Sequence, residues 1–349
     1  MVHTKHSNRT QERSIQKIKL QGSPQQRAKT YGKKAKKRIH KSIEFYKDIC
    51  RKKGYNLKEQ GRKYVEPIQT HNKKYYQQLK IIAKHAEANF YEVIGVNART
   101  EIKSLLENEC TSLYDPRSKI LAQNWDWGAK SEEHTVLLEI QRENKPDITT
   151  ITEAGMLAKI GMNSAGIGIC LNALRTYKER KGVPIHILLR TALEQKTVKD
   201  VIKTLEKAKI DTAGNILVAH RSGTYIDLEI EHKKIHRHKT TDNIYIHTNH
   251  YLATDITKKS LDIHQSSLHR YEKAVELTQN TTGTMEDVKK ILYNKENKEY
   301  PILREYYNHK LFGNYGTVLT TIMDLKNNNL YIDDDPHDTK ELQKISYNW

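Results

Sequence analysis

The hydrophobic period of this chain changes near residue 110, and that change limits the fold more than any other feature. Before it, Ala28, Tyr31, Ala35, Ile39, Ile43 and Tyr46 recur at spacings of three and four, which paints one apolar stripe on a helix. After it, apolar residues gather in short β-branched runs: "KILAQNWDW", "HTVLLEIQ", "DITTITEAG" and "GIGICLNAL". Gly, Pro, Asn and Asp part them, which is how strands and their turns read. A chain of this kind buries its apolar surface by packing helices on sheets.

The local signals fill in the order. Ser23-Pro24-Gln25-Gln26 opens the first helix with a capping Ser, a first-turn Pro and Gln three residues after the cap; Gly54 ends it. A second helix carries Val65, Ile68, Tyr75, Leu79 and Ile82. "AEANFYEVIGVNARTEIKSLL" reads as a short helix, a loop through Gly95 and Asn97, and another helix. Beyond the first strands, "PIHILLRTALEQ" and "TVKDVIKTLEKA" are helices, the latter opened by Thr197. "NILVAHRSGTYIDLEIE" is a hairpin turning at Arg221-Ser222-Gly223, and "NIYIHTNH" is a strand with a polar end. "SSLHRYEKAVELTQ" and "TMEDVKKILYN" are helices, and "GTVLTTIMDLKNNNLYI" closes as a hairpin. The fold class is therefore α+β.

Charge is informative through its distribution. The net charge is +18, yet residues 1–109 hold 26 Lys and Arg against 10 Asp and Glu, leaving 34 against 32 for residues 110–349. A basic half attracts polyanions; lysine-covered helix faces explain it equally, and no recognised nucleic-acid module accompanies it. Nucleic acid is not the expected partner. No run approaches the roughly 18 apolar residues of a membrane span, and the first residues lack an apolar leader. Cys50, Cys110 and Cys170 are too few and odd for a disulfide framework. The expected location is cytoplasmic, and the terminal "KISYNW" is no peroxisomal address.

Three cysteines make the position of Cys110 worth testing. A thiol attacks as thiolate and needs a base. If the bond before a cysteine is cut, the new α-amine lies beside its own thiol with a pKa of roughly 7.7–8.0, suited to a general base. The competing reading is a small buried hydrophobe. His232, His236 and His238 cluster, and His247 and His250 flank Asn249, but no convincing ligand set accompanies them, so no metal is expected. No phosphate-cradling or dinucleotide pattern appears.

"ENECTSLYDPRSKILAQNWDW", "ITEAGMLAKIGMNSAGIGICLNAL", "KGVPIHILLRTALE" and "IHTNHYL" resemble, in order, the signature blocks of the acyl-coenzyme A:6-aminopenicillanic acid acyltransferase family. These are the C45 peptidases of the N-terminal-nucleophile hydrolase superfamily. The resemblance implies a four-layer αββα sandwich preceded by a helical N-terminal segment. It also implies a precursor that cuts its own Glu109–Cys110 bond. The products would be a retained α chain, 1–109, and a β chain, 110–349, forming one folded unit. Where the family's fungal members have glycine before the cysteine, this chain has Glu109. Cys110 would be the nucleophile, Asp126 would orient its α-amine, and Asn249 would donate to the oxyanion. A backbone N–H between Ala165 and Asn172 would be the second donor. The implied reaction passes an acyl group from a small amide or thioester through an S-acyl enzyme to an amine, or to water. No bound cofactor is implied, and a coenzyme A thioester is a possible co-substrate. Asn124 and Trp125 read as scaffold. Arg99, Glu101 and Glu153 read as structural ion-pair members. A polyanion-binding protein or a non-cleaving pseudoenzyme is the alternative from another class.

Overall fold

The computed structural model describes residues 14–102, 110–175, 181–239, 244–253, 265–338 and 342–349. Strand β1 (Gln16–Leu20) comes first. Six helices follow: α1 (Pro24–Lys34), α2 (Lys36–Lys52), α3 (Leu57–Arg62), α4 (Val65–His71), α5 (Lys73–Ala86) and α6 (Phe90–Asn97). Then come β2 (Thr111–Asp115), β3 (Ile120–Gly128), β4 (Thr135–Ile140), β5 (Ile148–Glu153), β6 (Ile160–Asn163) and β7 (Ile167–Asn172). Helices α7 (Ile185–Leu193) and α8 (Val198–Glu206) lead to β8 (Thr212–His220), β9 (Tyr225–His232), β10 (Lys234–His238) and β11 (Tyr245–His247). Helices α9 (Gln265–Thr278) and α10 (Met285–Leu292) precede β12 (Tyr307–His309), β13 (Gly313–Asp324), β14 (Asn329–Asp333) and β15 (Gln343–Ser346).

The strands form two sheets. One runs β1-β4-β5-β6-β7-β8-β9-β10; the other runs β11-β2-β3-β13-β14-β15, with β12 paired to β13. The sheets stack through β3 and β7. Gln123 on β3 donates to the carbonyl of Leu171 at 2.5 Å and accepts from its N–H at 3.1 Å. The alternation along β3 serves two cores. Leu121 and Trp125 join the core that includes Ile169 and Leu171 of β7, whereas Ile120 and Ala122 join a second one with Ala274, Val288 and Ile291 of α9 and α10. Helix α7 closes the other face, its Ile185 lying against Gly214 of β8. The layers run helix, sheet, sheet, helix: the α+β sandwich expected above.

Four expectations are corrected. The N-terminal segment is not wholly helical, because β1 pairs in parallel with β4, Ile18 opposite Leu138; with Ile18 and Leu20 as its buried residues, it was too short to read. The stripe from Ala28 to Tyr46 is split between α1 and α2 at Ala35, and the second predicted helix is split into α4 and α5 where Asn72 caps Lys74 and Tyr75. The loop predicted through Gly95 is helix α6. Gly95 lies against Leu57, where a Cβ would come within 2.7 Å of its side chain; it is there for close helix packing rather than a turn. Strands β2, β6, β10, β12 and β15 were not predicted.

The capping box of Ser23 and Gln26 forms as expected, and Thr197 caps Asp200. All three cysteines are buried free thiols. Among the described residues no helix is long and apolar enough to cross a membrane.

Candidate active site

Cys110 stands at the mouth of β2, where the two sheets meet. Ser112, two residues on, donates to Asn172 Oδ1 across the sheets at 2.6 Å. Asn172 ends β7 and turns its amide back: Nδ2 donates to the carbonyl of Cys110 at 3.1 Å and to that of His247 at 3.3 Å. One side chain thus fastens the ends of β2, β7 and β11.

Arg270 completes the ring from α9. Its Nη1 donates to the carbonyl of Cys110 at 2.8 Å and to Thr111 Oγ1 at 2.9 Å, and its Nη2 donates to Asn249 Oδ1 at 3.0 Å. That bond fixes the Asn249 amide with Nδ2 outward, donating one N–H to the carbonyl of Ala173 at 3.0 Å. An amide nitrogen carries two donors, so Asn249 retains a second. Its backbone N–H is held by Ser267 Oγ at 2.8 Å.

Asp126 is fully buried on β3, opposite Thr317 of β13. Its backbone carbonyl lies 4.0 Å from Cys110 Sγ. Burial pushes the Cys110 thiol up and the Asp126 carboxylate adds to it, while Lys159 and Arg270 pull it down. Asn124 and Trp125 are scaffold as expected: Asn124 donates to the carbonyls of Leu292 and Ile302, and Trp125 is buried in the core.

The expected residues therefore come together unevenly. Cys110, Asn172 and Asn249 share one network, with Asp126 alongside. Ala165 does not join it. Its N–H donates to Asn163 Oδ1 at 3.0 Å, and it precedes β7 whereas Asn172 ends it, a separation on the order of 20 Å along a strand. Of the interval proposed for the second oxyanion donor, only the Asn172 end reaches Cys110. Glu109 lies outside the described residues. Arg99 and Glu153 do form a buried ion pair at 3.0 Å. Glu101 is not part of it; its Oε1 accepts from Ile185 N and Thr212 Oγ1. Arg270 was missed altogether. The signal was faint: Ser266, Ser267, Arg270 and Ala274 are the buried positions of α9, a small and polar stripe at helical spacing.

One described group has the spacing of metal ligands. Donor atoms of Asp227, Glu229 and His247 lie within 4.8 Å of one another. They are already engaged: Glu229 accepts from His247 Nε2 and from the N–H groups of Leu252 and Ala253, and Asp227 accepts from Asn215. This is a buried ion-pair cluster holding the segment that bears Asn249. His232, His236 and His238 are not in it.

Two facing sheets lie between helical layers, with a cysteine and its polar ring at their shared edge. The model of one family, described as acyl-coenzyme A:6-aminopenicillanic acid acyl-transferase, matches residues 113–335, and the chain belongs to that family. The match opens just past Cys110 and includes Asp126, Asn172, Asn249 and Arg270. The chain is 29% identical over 309 residues to the 40 kDa form of acyl-coenzyme A:6-aminopenicillanic-acid-acyltransferase of Emericella nidulans, covering 85% of this chain and 86% of that protein. Among solved structures it is similar to penicillin V acylase from Agrobacterium tumefaciens, with TM-score 0.48 and 13% identity over 68% of this chain and 86% of that one. A mutant conjugated bile acid hydrolase from Clostridium perfringens gives TM-score 0.49 and 12% identity over 69% and 93%. The chain is thus a member of an acyl-transfer enzyme family.

Proposed function

We propose that this protein is an acyl-transfer enzyme that activates itself by cutting the Glu109–Cys110 bond, with Cys110 as its nucleophile. The carrying observation is the convergence on residue 110: Asn172 and Arg270 both donate to its carbonyl, and Arg270 also orients Asn249. Two distant segments hold one residue's backbone in place, as a nucleophile requires and a packing cysteine does not.

In the uncut chain the Cys110 thiolate attacks the carbonyl of Glu109. The C–N bond breaks as the acyl group passes to sulfur, and the amide nitrogen takes a proton. Water then splits the thioester, releasing the Glu109 carboxylate and the Cys110 thiol. The mature residue carries a free α-amine, which Asp126 orients. That amine takes the thiol proton as sulfur attacks the substrate carbonyl. The second N–H of Asn249 stabilises the oxyanion. The leaving group accepts the proton from the α-ammonium, and an S-acyl enzyme remains. An amine acceptor completes acyl transfer; water completes amide hydrolysis. The donor is a small amide or thioester, with a coenzyme A thioester as the class the relative's name suggests. The two fragments stay together because β1 is a strand of the sheet that β4 continues.

Intact mass spectrometry of purified wild type, Cys110→Ser and Cys110→Ala tests this. Wild type is expected to yield a chain beginning at Cys110, and Cys110→Ala to stay whole. Turnover by Cys110→Ala would overturn the proposal.

A further inference from the structure

The buried charges near Cys110 are unbalanced. Glu153, at the end of β5, accepts from Arg99 Nε at 3.1 Å and Nη2 at 3.0 Å, and from the Tyr46 hydroxyl. Lys159 Nζ stands 3.6 Å from the same carboxylate. One acid therefore faces two cations, and Arg99 holds it with the closer, two-pronged contact. Lys159 is only 2% exposed, and its Nζ makes no hydrogen bond among the described residues. It lies 3.0 Å from the centroid of the Trp125 ring. Trp125 immediately precedes Asp126, whose carbonyl is in contact with Cys110 Sγ. The surplus cation is thus stacked on the piece of strand that touches the thiol.

We propose that Lys159 is the positioning charge that stabilises Cys110 as a thiolate, acting through space from beneath Trp125. This rests on the reading of Cys110 as nucleophile. An ammonium buried in low dielectric acts strongly on a nearby anion, and an opposite charge favours the ionised form of a neighbour. The groups that face Cys110 are Asp126 from β3, Arg270 from α9, Lys159 from the segment entering β6, Arg99 from the turn after α6, and Cys170 of β7. Lys159 in turn faces Glu153, Arg99 and Cys110, and His186 of α7 feels the same charges. Burial pushes Lys159 well down and Arg99 adds to it, while Glu153 and Cys110 oppose them. Burial pushes the thiol up, with Lys159 the first group to oppose it. Each ion favours the other, so the two titrate as a pair. The effect matters most in the uncut chain, where residue 110 has no α-amine and the thiolate needs another source of stabilisation.

The test is alkylation of the protein by iodoacetamide from about pH 5 to about pH 10, the range over which thiols ionise, read by mass separately at the Cys110 peptide of the uncut chain and at that of the chain beginning at Cys110, and compared between variants within each species. Cys50 and Cys170 do not compete, since burial pushes Cys50 up to about 12 and Cys170 well above the ordinary thiol range. Lys159→Met and Lys159→Gln both remove the charge; Lys159→Arg keeps it. The midpoint of Cys110 alkylation is expected to rise by about one pH unit or more, tenfold or more in thiolate at a given pH, in both neutral variants. In Lys159→Arg it should stay near wild type. A loss of packing alone would not sort the variants by charge. An unchanged midpoint in either neutral variant, with a cooperative thermal transition showing it folded, overturns the proposal. That result would leave the nucleophile reading intact, because cleavage and turnover of Cys110→Ala decide that separately.

Discussion

Arg270 donates to the carbonyl oxygen of Cys110 at 2.8 Å across 160 residues of sequence. The same guanidinium reaches Thr111 Oγ1, Asn249 Oδ1 and Ser266 Oγ, and no part of the residue is exposed. Only a planar fork serves this many acceptors at once. Helix α9 is thereby bolted to the first residue of the expected β chain and to the expected oxyanion donor.

Arg270→Met should therefore lose both stability and turnover. It strands the Asn249 amide oxygen in the interior and leaves the Cys110 carbonyl to Asn172 alone, at a cost of about 1–3 kcal/mol, seen as a lower denaturant midpoint. Arg270→Lys keeps the charge without the fork; it should lie between the two in stability while kcat falls with little change in KM. A fully stable Arg270→Met would show that these bonds are incidental.

Asn249→Asp separates anchoring from catalysis. The aspartate still accepts from Arg270 but loses the bond to the Ala173 carbonyl, so stability should fall by only about 1 kcal/mol. It lacks the Nδ2 donors, so kcat should fall by about 10²–10³, with KM within a few-fold. Equal losses in KM and kcat would point to a substrate-binding asparagine instead.

What could be read in advance followed physical visibility. Strand β3 announces itself as a run rich in Ile120, Leu121, Ala122, Trp125 and Trp127 bounded by turn residues, whereas Asp126 stood out only through the family resemblance of its block. Arg270 did not, because α9 reads as a charged surface helix and nothing local distinguishes its one fully buried arginine from the exposed residues around it. Lys159 was equally silent: a lone lysine in "GMLAKIGM" becomes meaningful only once Glu153, Arg99 and Trp125 are brought around it by strand pairing. Gly95 misled because glycine marks turns more often than close helix contacts. The residue that reveals the contact, Gly61, lies on a different helix.

Gly61→Ala tests that packing. An added Cβ would come within 1.9 Å of the Tyr91 carbonyl and 2.8 Å of Gly95 N, so α3 and α6 must part, costing about 1–3 kcal/mol. Gly54→Ala is the control: nothing lies within 4 Å of its Cβ, and only the positive φ of 76° opposes it, worth about 1–2 kcal/mol. Melting curves should show Gly61→Ala with broken α3–α6 packing, read as faster amide exchange in both helices, and Gly54→Ala with a local effect only. Equal, local exchange in the two would place α3 and α6 farther apart than described.

The last prediction concerns pH. His247 Nε2 lies 3.0 Å from Glu229 Oε1, and Glu229 also accepts from Leu252 N at 2.5 Å and Ala253 N at 3.0 Å, so one carboxylate ties both ends of the segment bearing Asn249. Burial opposes charge on both partners. For Glu229 it is outweighed by His247 and the two backbone N–H groups, and its pKa is lowered. For His247 it is outweighed by Asp227 and Glu229, and its pKa is raised. The lowered carboxyl contributes stability above its unfolded value of about 4.3, lost as pH falls through the folded one. The raised imidazole contributes below about 6.5, lost as pH rises through its folded value. The clasp is therefore complete between about pH 4.3 and 6.5. Unfolding free energies of wild type and Glu229→Gln should differ most inside that window and converge on either side, with the basic-side convergence delayed by the raised histidine. A difference independent of pH would mean that the pair is held by hydrogen bonds between neutral groups, and that the segment carrying Asn249 owes nothing to its charge.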